Sequence, residues 1–336
     1  MMKKYLIIKL AAIGDVVMAM PMVTQIRTKY PESEITWVCG KSVRFLVEML
    51  PVDHIICVDE RKILTGSTLE KIREVIKLWG KIAFKKYAVI ALGHADKKYQ
   101  ILTLLTKAKS KKSFTHQIGK LWPIPSRHHT DEYVRLIDSR MSQQPVPSYQ
   151  ISQALHDDEI EQILPKNKLI VTLAPGGAKN LLADDACRRW PIEHYVELAE
   201  LLIKRGYTVV ISGAPGDSWV EKYFTKLPVV NLVGKTTLQQ LLCLFSQSSI
   251  VVTHDSGPMH LAGMTQCKLI ALFGPTNAYE KIPRRNGVYL HWDFNKYACC
   301  PCYDGKAYVD CADNICMKKI KAKDIFEEIE VILTKK

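Results

Sequence analysis

The residues from Ile250 to Thr276 are those whose types and spacing best suit ligand chemistry. A run of β-branched residues is typical of a buried strand, and the residues His-Asp-Ser-Gly interrupt it. Pro258 then stands where the first turn of a helix is expected, because its missing N–H needs no partner there. The backbone N–H groups of Gly257, Met259 and His260, aided by the helix dipole, would form a site for an anion.

The same residues allow a purely structural alternative. A Ser-Gly turn before a helix often does no more than cap the first backbone N–H groups, so Asp255 and Ser256 could serve only to start the helix. Lys268 to Phe273 is predicted as the next strand, and the loop Gly274-Pro275-Thr276 ends it. Both alternatives place the segment at the sheet edge where open α/β folds bind ligands.

Alternating strand and helix patterns must position these residues. Apolar runs typical of strands begin at Tyr5, Ile35, His54 and Tyr87, and a second series begins at Leu169, Tyr207, Val229, Ile250 and Lys268. The helical patterns between them predict parallel sheets with helices on both faces. We therefore expect an α/β fold of two Rossmann-like, doubly wound domains whose strand ends face a central cleft.

The boundary between the two domains is expected where the pattern weakens, between Met141 and Asn167. A chain of 336 residues suits two domains, here residues 1–160 and 161–336. The last helical pattern, Asp324 to Leu333, is expected to pack back on either domain, the N-terminal one included.

A second candidate site follows the first strand. Gly14 would let the backbone turn sharply there, and Asp15 would lie at the start of a helix predicted from Val16 to Tyr30. One interpretation makes Asp15 a helix N-cap. The other makes it a carboxylate that takes a proton from a reacting hydroxyl group.

Three segments together resemble glycosyltransferase family 9, the heptosyltransferases. They are the string I-K-L-x-A-I-G-D-V-V-x-A-x-P around Asp15, the segment Arg188 to Pro191, and D-S-G-x-x-H followed by A-L-F-G-P-T. The resemblance implies the two-domain GT-B fold and an inverting, metal-independent transferase. It further implies a heptose donated from ADP-heptose to the inner core of lipopolysaccharide. Transfer of another nucleotide sugar, and a non-catalytic nucleotide-sugar-binding protein, are the alternatives. A nicotinamide dehydrogenase is disfavoured, since no G-x-G-x-x-G is present.

The resemblance also implies roles for individual residues. Asp15 would be the catalytic base, and the C-terminal domain would bind the donor. The implied donor-binding residues are Arg188, Arg189, Asp217, Thr236, Asp255, Ser256, Gly257, Met259 and His260. Arg188 stands where the best-known members carry lysine, so a planar fork replaces a point charge on the phosphates. Helix capping is the alternative for Asp217, and a solvated charge is the alternative for Arg188 and Arg189.

The N-terminal domain is expected to bind the acceptor, but its residues do not indicate which acceptor it binds. The residues assigned to acceptor binding are Gly14, His94, Lys97 and Arg127. Basic side chains there would meet an acidic acceptor, and a solvated surface is the alternative.

Composition favours an anionic partner. The formal net charge is +13, which suits a nucleotide, a phosphorylated glycolipid or an anionic membrane. No nucleic-acid motif is present, so we expect no nucleic-acid partner. No segment is typical of a signal peptide or a membrane-spanning helix. We expect a cytoplasmic enzyme that touches the inner face of the cytoplasmic membrane and needs no cofactor besides its donor.

Five of the ten cysteines lie between Cys299 and Cys316. Their spacing is not a strong zinc signature, so structural thiols, a metal site and a disulfide remain open. No D-x-D motif is present to hold a metal ion on a diphosphate. The sequence therefore predicts no metal at the catalytic site.

Overall fold

The structure is a computed structural model, and it describes residues 2–117, 120–122, 126–153, 155–166, 168–179, 181–292, 296–303 and 308–334. The chain divides into two compact units. The N-terminal unit is Met1–Tyr149 with Leu181–Ala183 and Tyr279–Lys281, and the C-terminal unit comprises Gln150–Asn180, Asp184–Ala278 and Ile282–Lys336. The main division thus follows Tyr149 and falls before the boundary expected at residue 160.

The N-terminal unit is built on a five-stranded parallel sheet of order β3-β2-β1-β4-β5. The strands are β1 (Lys4–Ile8), β2 (Glu34–Gly40), β3 (His54–Val58), β4 (Lys86–Leu92) and β5 (Lys107–Ser113). A short antiparallel hairpin follows, β6 (Thr115–Gln117) and β7 (Lys120–Trp122). Because β1 is hydrogen-bonded on both sides, its residues Tyr5 to Ile8 are buried, as expected for a central parallel strand.

Within the described residues this unit has six α-helices: α1 (Ile13–Ala19), α2 (Pro21–Lys29), α3 (Arg44–Glu48), α4 (Glu60–Thr65), α5 (Thr68–Ile82) and α6 (His129–Ile137). The single helix predicted from Val16 to Tyr30 is wrong. Proline lacks the N–H that continues a helix, so Pro21 begins a new one. After β4 the chain forms a 3-10 helix at Lys97–Thr103.

The C-terminal unit has a six-stranded parallel sheet of order β10-β9-β8-β11-β12-β13. Its strands are β8 (Ile170–Ala174), β9 (Thr208–Gly213), β10 (Val230–Val233), β11 (Ile250–His254), β12 (Lys268–Leu272) and β13 (Val288–His291). Strand β11 pairs with β8 on one side and β12 on the other, and all five of its residues are buried. The candidate loop after His254 therefore leaves the middle of the sheet.

The helices of this unit are α7 (Asp158–Ile163), α8 (Ile192–Arg205), α9 (Glu221–Phe224), α10 (Leu238–Gln247), α11 (Gly257–Gly263), α12 (Ile315–Lys318) and α13 (Ala322–Thr334). Gly206 follows the last residue of α8 as its C-cap, and its φ of 94° lies in the left-handed region that favours glycine. The C-terminal helix α13 packs against α8, and Arg205 donates to Glu330 at 2.8 Å. This helix thus belongs to the core of the C-terminal unit.

Each unit has its own apolar core between sheet and helices. Together with the two parallel sheets, these cores confirm the predicted α/β fold of two doubly wound units. Within the described residues, none of the helices is both long and apolar enough to cross a membrane.

Candidate active site

Asp15 lies in the first turn of α1, just beyond the carboxyl end of β1. The N-cap position of this helix belongs to Ala12, and the Asp15 side chain instead accepts a hydrogen bond from Lys9. The N-cap interpretation of Asp15 is therefore wrong. Gly14 lies inside the same helix, so the sharp turn predicted there is wrong too, and its assignment to acceptor binding loses that support.

Lys9 is the partner of Asp15, and its Nζ atom lies 2.8 Å from Oδ2 of the carboxylate. The lysine is buried, whereas the Asp15 side chain is 40% exposed. Burial acts to raise the pKa of Asp15, but the charge and hydrogen bond of Lys9 outweigh it and lower that pKa. The carboxylate is thus ionised at neutral pH and reachable by a ligand. Lys9 was not among the predicted site residues, and a lysine next to the apolar residues of β1 was the available signal.

His94 is buried at the carboxyl end of the neighbouring strand β4. Its Nε2 atom accepts a hydrogen bond of 3.1 Å from the N–H of Leu10, and its ring stacks on Tyr99. Burial, followed by the charge of Lys9, lowers the pKa of His94 well below its ordinary value. A neutral, buried imidazole offers no cation to an acidic acceptor, and any other contact of His94 with the acceptor stays a prediction. His94 holds the end of β1 in place.

The two other basic residues assigned to the acceptor differ in their surroundings. Arg127 pairs with Oε1 of the buried Glu132 at 2.8 Å and donates to the carbonyl of Ser142. The same carboxylate also pairs with Arg135 at 2.9 Å, so Glu132 offsets only part of the charge of the two arginines. Lys97 is exposed at the start of the 3-10 helix after β4. Contact of either residue with an acceptor stays a prediction.

In the C-terminal unit, Arg188 lies between two carboxylates. It donates to Oδ2 of Asp185 and to the carbonyl oxygen of Asp255, both at 3.0 Å, and lies 3.5 Å from the carboxylate of Asp255. Burial acts to lower the pKa of Arg188, but Asp255, Tyr308 and Asp185 together raise it. Its Nε atom is buried and has no hydrogen-bond partner among the described residues. The solvated-surface alternative for Arg188 is therefore wrong.

The Asp-Ser-Gly loop after β11 is mostly buried. The Asp255 side chain is buried against Arg188, so Asp255 acts as the counter-ion of that arginine, and its direct contact with the donor stays a prediction. The hydroxyl of Ser256 donates to the carbonyl of His254. The N–H of Met259, predicted to be exposed, donates to the Ser256 carbonyl instead. Gly257 is half-buried at the start of α11, and His260 is buried one turn later.

Asp217 connects two loops at the same edge of the sheet through hydrogen bonds. Its Oδ1 accepts from the N–H of Gly177 and its Oδ2 from the N–H of Ala214, each at 2.8 Å. A Cβ atom on Gly176 would lie 2.3 Å from the Asp217 Cγ, so glycine is required there. The capping alternative explains the hydrogen bonds of this buried carboxylate, and its contact with the donor stays a prediction.

Arg189 also joins loops of this edge. Its Nε donates to the carbonyl of Gly177 at 2.9 Å, and its guanidinium pairs with Asp184. A surface cavity of about 280 Å³ lies beside it, lined by Lys179, Asp184, Arg189, Gly216 and Trp219. Arg189 is thus part of the wall of a cationic cavity with an aromatic side. Thr236 is half-buried in the loop between β10 and α10, and its predicted contact with a nucleotide base stays a prediction.

The cysteine-rich segment supplies a residue that sequence analysis missed. The ring centre of Tyr308 lies 5.3 Å from the Arg188 guanidinium carbon, and its hydroxyl is 2.9 Å from that of Thr276. Nothing in the sequence pattern around Tyr308 indicated this contact. The N–H of Cys302 donates to the carbonyl of Pro275. All ten cysteines are free thiols, so the structure contains no disulfide among them.

Comparisons with known proteins bear on the family and the fold of this chain. Residues 123–304, a little more than half of the chain, match the model of glycosyltransferase family 9 (heptosyltransferase). The chain is 26% identical to a lipopolysaccharide core heptosyltransferase, OpsX, of Haemophilus influenzae. That similarity covers 84% of this chain and 82% of the relative.

Two solved structures have a similar fold. One is a glycosyl transferase of family 9 from Veillonella parvula, with a TM-score of 0.78 and 19% identity over 99% of this chain and 98% of that chain. The other is an ADP-heptose lipopolysaccharide heptosyltransferase II of E. coli, with a TM-score of 0.75 and 20% identity over 98% of both chains.

Proposed function

The chain belongs to glycosyltransferase family 9, the heptosyltransferases, and we propose that it transfers a heptose from ADP-heptose to the inner core of lipopolysaccharide. The observation that carries this proposal is the ionised, accessible carboxylate of Asp15 at the carboxyl end of β1. The name of the Haemophilus influenzae relative supports the acceptor, and that of the E. coli structure supports the donor.

The reaction proposed is a single displacement. Asp15 accepts the proton of an acceptor hydroxyl as its oxygen attacks the anomeric carbon of the heptose. The bond from that carbon to the ADP oxygen breaks as the new carbon–oxygen bond forms, and attack from the opposite face inverts the anomeric centre. One carboxylate suffices, because a diphosphate leaving group needs charge stabilisation more than a proton.

Arg188 supplies that stabilisation in our proposal. Asp185, Asp255 and the ring of Tyr308 fix its guanidinium group. A fixed cation costs little reorganisation when negative charge develops on the departing diphosphate. The cavity beside Arg189 provides further room for the nucleotide.

We further propose that catalysis needs neither a metal ion nor a cofactor besides the donor. The sequence contains no D-x-D motif to hold a metal ion, and Arg188 offers a positive charge of the protein in place of that ion. The acceptor is a glycolipid, so the enzyme would work on the cytoplasmic side at the inner face of the membrane. The net charge of +13 supports an encounter with such an anionic surface.

A transfer assay with purified protein tests the proposal. The protein is incubated with ADP-heptose and with lipopolysaccharide that is truncated before its heptoses. The mass of the product is then measured by mass spectrometry. We expect the acceptor to gain one heptose residue, with release of ADP and an inverted anomeric configuration by NMR. Excess EDTA should leave the rate unchanged.

The alternatives predict other results. Transfer from a different nucleotide sugar, with none from ADP-heptose, would assign the chain to another donor within family 9. Tight nucleotide-sugar binding without any transfer would favour a non-catalytic binding protein. Loss of the rate in EDTA and its return with added metal would contradict the metal-independent mechanism.

A further inference from the structure

Helix α5 carries apolar side chains on its solvent-facing side as well as on its buried side. Its buried residues Val75, Leu78 and Ile82 pack in the core of the N-terminal unit. Leu69, Ile72 and Ile76 lie on the other side and are each about half exposed. Their spacing of three and four residues places them in one line along the helix. Contact with solvent does not explain why a second line of apolar side chains lies on the exposed side of this helix.

The line continues beyond the helix onto two neighbouring segments. Trp79, one turn after Ile76, donates from Nε1 to the carbonyl of Ile101 at 2.9 Å. The N–H of Phe84 donates to the carbonyl of Leu105 at 2.8 Å. These bonds bring further exposed apolar side chains beside the end of α5. The docking patch, as we name it, consists of Leu69, Ile72, Ile76, Phe84, Ile101, Leu104 and Leu105.

Phe84 is the most exposed member of the docking patch. Its side chain is 78% exposed, and its φ of 60° lies in the left-handed region that phenylalanine rarely adopts. The backbone therefore holds a large apolar ring outward into solvent. Contiguous exposed apolar surface of this kind marks sites that contact a protein or a membrane.

The docking patch is bordered by positive charge. The segment from Lys71 to Lys86 contains six lysines and arginines, and its single acid, Glu74, is buried and paired with Lys77. On the sheet edge, strand β5 exposes three more lysines in alternation, and its Lys107 is the register partner of Lys86 on β4. Like charges on adjacent strands repel, so an anionic partner would stabilise this edge.

We propose that the docking patch inserts into the surface of an anionic lipid bilayer and so holds the enzyme at its lipid-linked acceptor. Apolar side chains surrounded by lysine and arginine form the arrangement by which peripheral proteins bind such bilayers. The inference deepens the proposed function and rests on it for the lipid-linked acceptor. The charge border selects a membrane over a neutral protein partner, because each basic residue near an anionic leaflet adds attraction.

Cosedimentation of the full-length protein with vesicles tests this docking. The vesicles contain phosphatidylglycerol and phosphatidylcholine, or phosphatidylcholine alone, and no donor is added. The wild type should bind the anionic vesicles strongly and the neutral ones weakly. The double variant Ile76→Ser/Phe84→Ser should lose about tenfold or more in binding. The double variant Lys81→Glu/Lys85→Glu should bind the anionic vesicles about tenfold or more weakly, because it loses electrostatic attraction while the apolar side chains stay.

Matched controls stand on the C-terminal unit. Val331 on α13 is as exposed as Ile72, so Val331→Ser removes similar apolar surface elsewhere. Lys226 follows α9 on the surface, so Lys226→Glu reverses a charge outside the patch. Both controls should bind anionic vesicles like the wild type, and thermal melts check that every variant is folded.

Three results would overturn the docking inference. The first is equal vesicle binding by the patch variants and the wild type. The second is equal binding of neutral and anionic vesicles. The third is a wild-type dimer in analytical ultracentrifugation that the patch substitutions convert to monomers, which would make the patch an interface between copies. Failure to transfer heptose with intact, patch-dependent vesicle binding would contradict the proposed function and leave the docking standing.

Discussion

The ammonium group of Lys9 lies 2.8 Å from the Oδ2 atom of Asp15, so the proposed catalytic base is held in an ion pair. The lysine is buried and the carboxylate is partly exposed. The pair keeps Asp15 ionised, but because it lowers the pKa of the carboxyl group it also lowers its basicity. A general base works best with a pKa near the working pH. Lys9 thus sets both the position and the proton affinity of the carboxylate.

Replacing Asp15 by asparagine tests the base directly. Asp15→Asn keeps the side-chain shape but removes the group that accepts the proton, so single-turnover transfer should slow by about 10²–10⁴-fold. The variant also leaves Lys9 buried without its carboxylate, and its melting temperature should fall. Donor binding should change little.

The double variant Lys9→Met/Asp15→Asn separates the two effects. Removing the unpaired charge should restore much of the stability without restoring the rate. Asp138→Asn is the control for loss of an aspartate–lysine pair, because Asp138 contacts Lys29 at 3.1 Å in the same unit, and it should keep the wild-type rate. A double variant that regains activity along with stability would make Asp15 purely structural.

Replacing Lys9 by methionine should move the pH dependence of catalysis. In the wild type the lowered pKa of Asp15 keeps the carboxylate ionised down to below about pH 4, the ordinary aspartate range. In Lys9→Met burial acts unopposed by that lysine, so the pKa of Asp15 rises. The acid limb of kcat/KM should then appear at higher pH. An unshifted limb would show that another group titrates in the profile.

The same ion pair sets a limit on stability at low pH. Because the pKa of Asp15 is lower in the folded than in the unfolded chain, its ionisation favours folding above the unfolded value of about 3.9. That contribution is lost as the pH falls through the folded pKa. Acid unfolding of the wild type should therefore show a component below about pH 4 that Asp15→Asn lacks.

Arg188→Ala should weaken donor binding or turnover. A charge-assisted hydrogen bond of this kind contributes about 1.5–3 kcal/mol, so the loss should be about tenfold or more in kcat/KM for the donor. Arg205→Ala is the matched control, because Arg205 also pairs with a carboxylate but lies on the outer end of α8. Donor kinetics that are the same for both variants would exclude a donor contact by Arg188.

Two glycine substitutions test the loop geometry at the donor edge. Gly176→Ala places a methyl group against Asp217, whose two oxygens are held by backbone N–H groups, so stability should fall by about 1–3 kcal/mol. Gly80→Ala fills open space within α5 and should instead raise stability by about 0.5–1 kcal/mol. Denaturant unfolding measures both, and equal effects would contradict the packing at Gly176.

The sequence by itself determined the secondary elements whose signals are local. Helix α8 begins at Ile192 and ends at Arg205, because Pro191 and Gly206 fix its ends through their own backbone preferences. The sequence also placed Asp15 and the loop after β11 at the carboxyl ends of strands, since alternating strands and helices make parallel sheets. These properties depend on residues close together in the chain.

The tertiary structure decided the features that depend on distant partners. The lysine-rich segment Lys107–Ser113 forms an edge strand because backbone hydrogen bonds to β4 need no apolar side chains, and lysine is well tolerated on an edge. Packing also buried His94 beneath the end of β1 and brought Tyr308 against Arg188. Such contacts join residues far apart in sequence, so only the folded chain fixes which charges remain accessible and which are already paired.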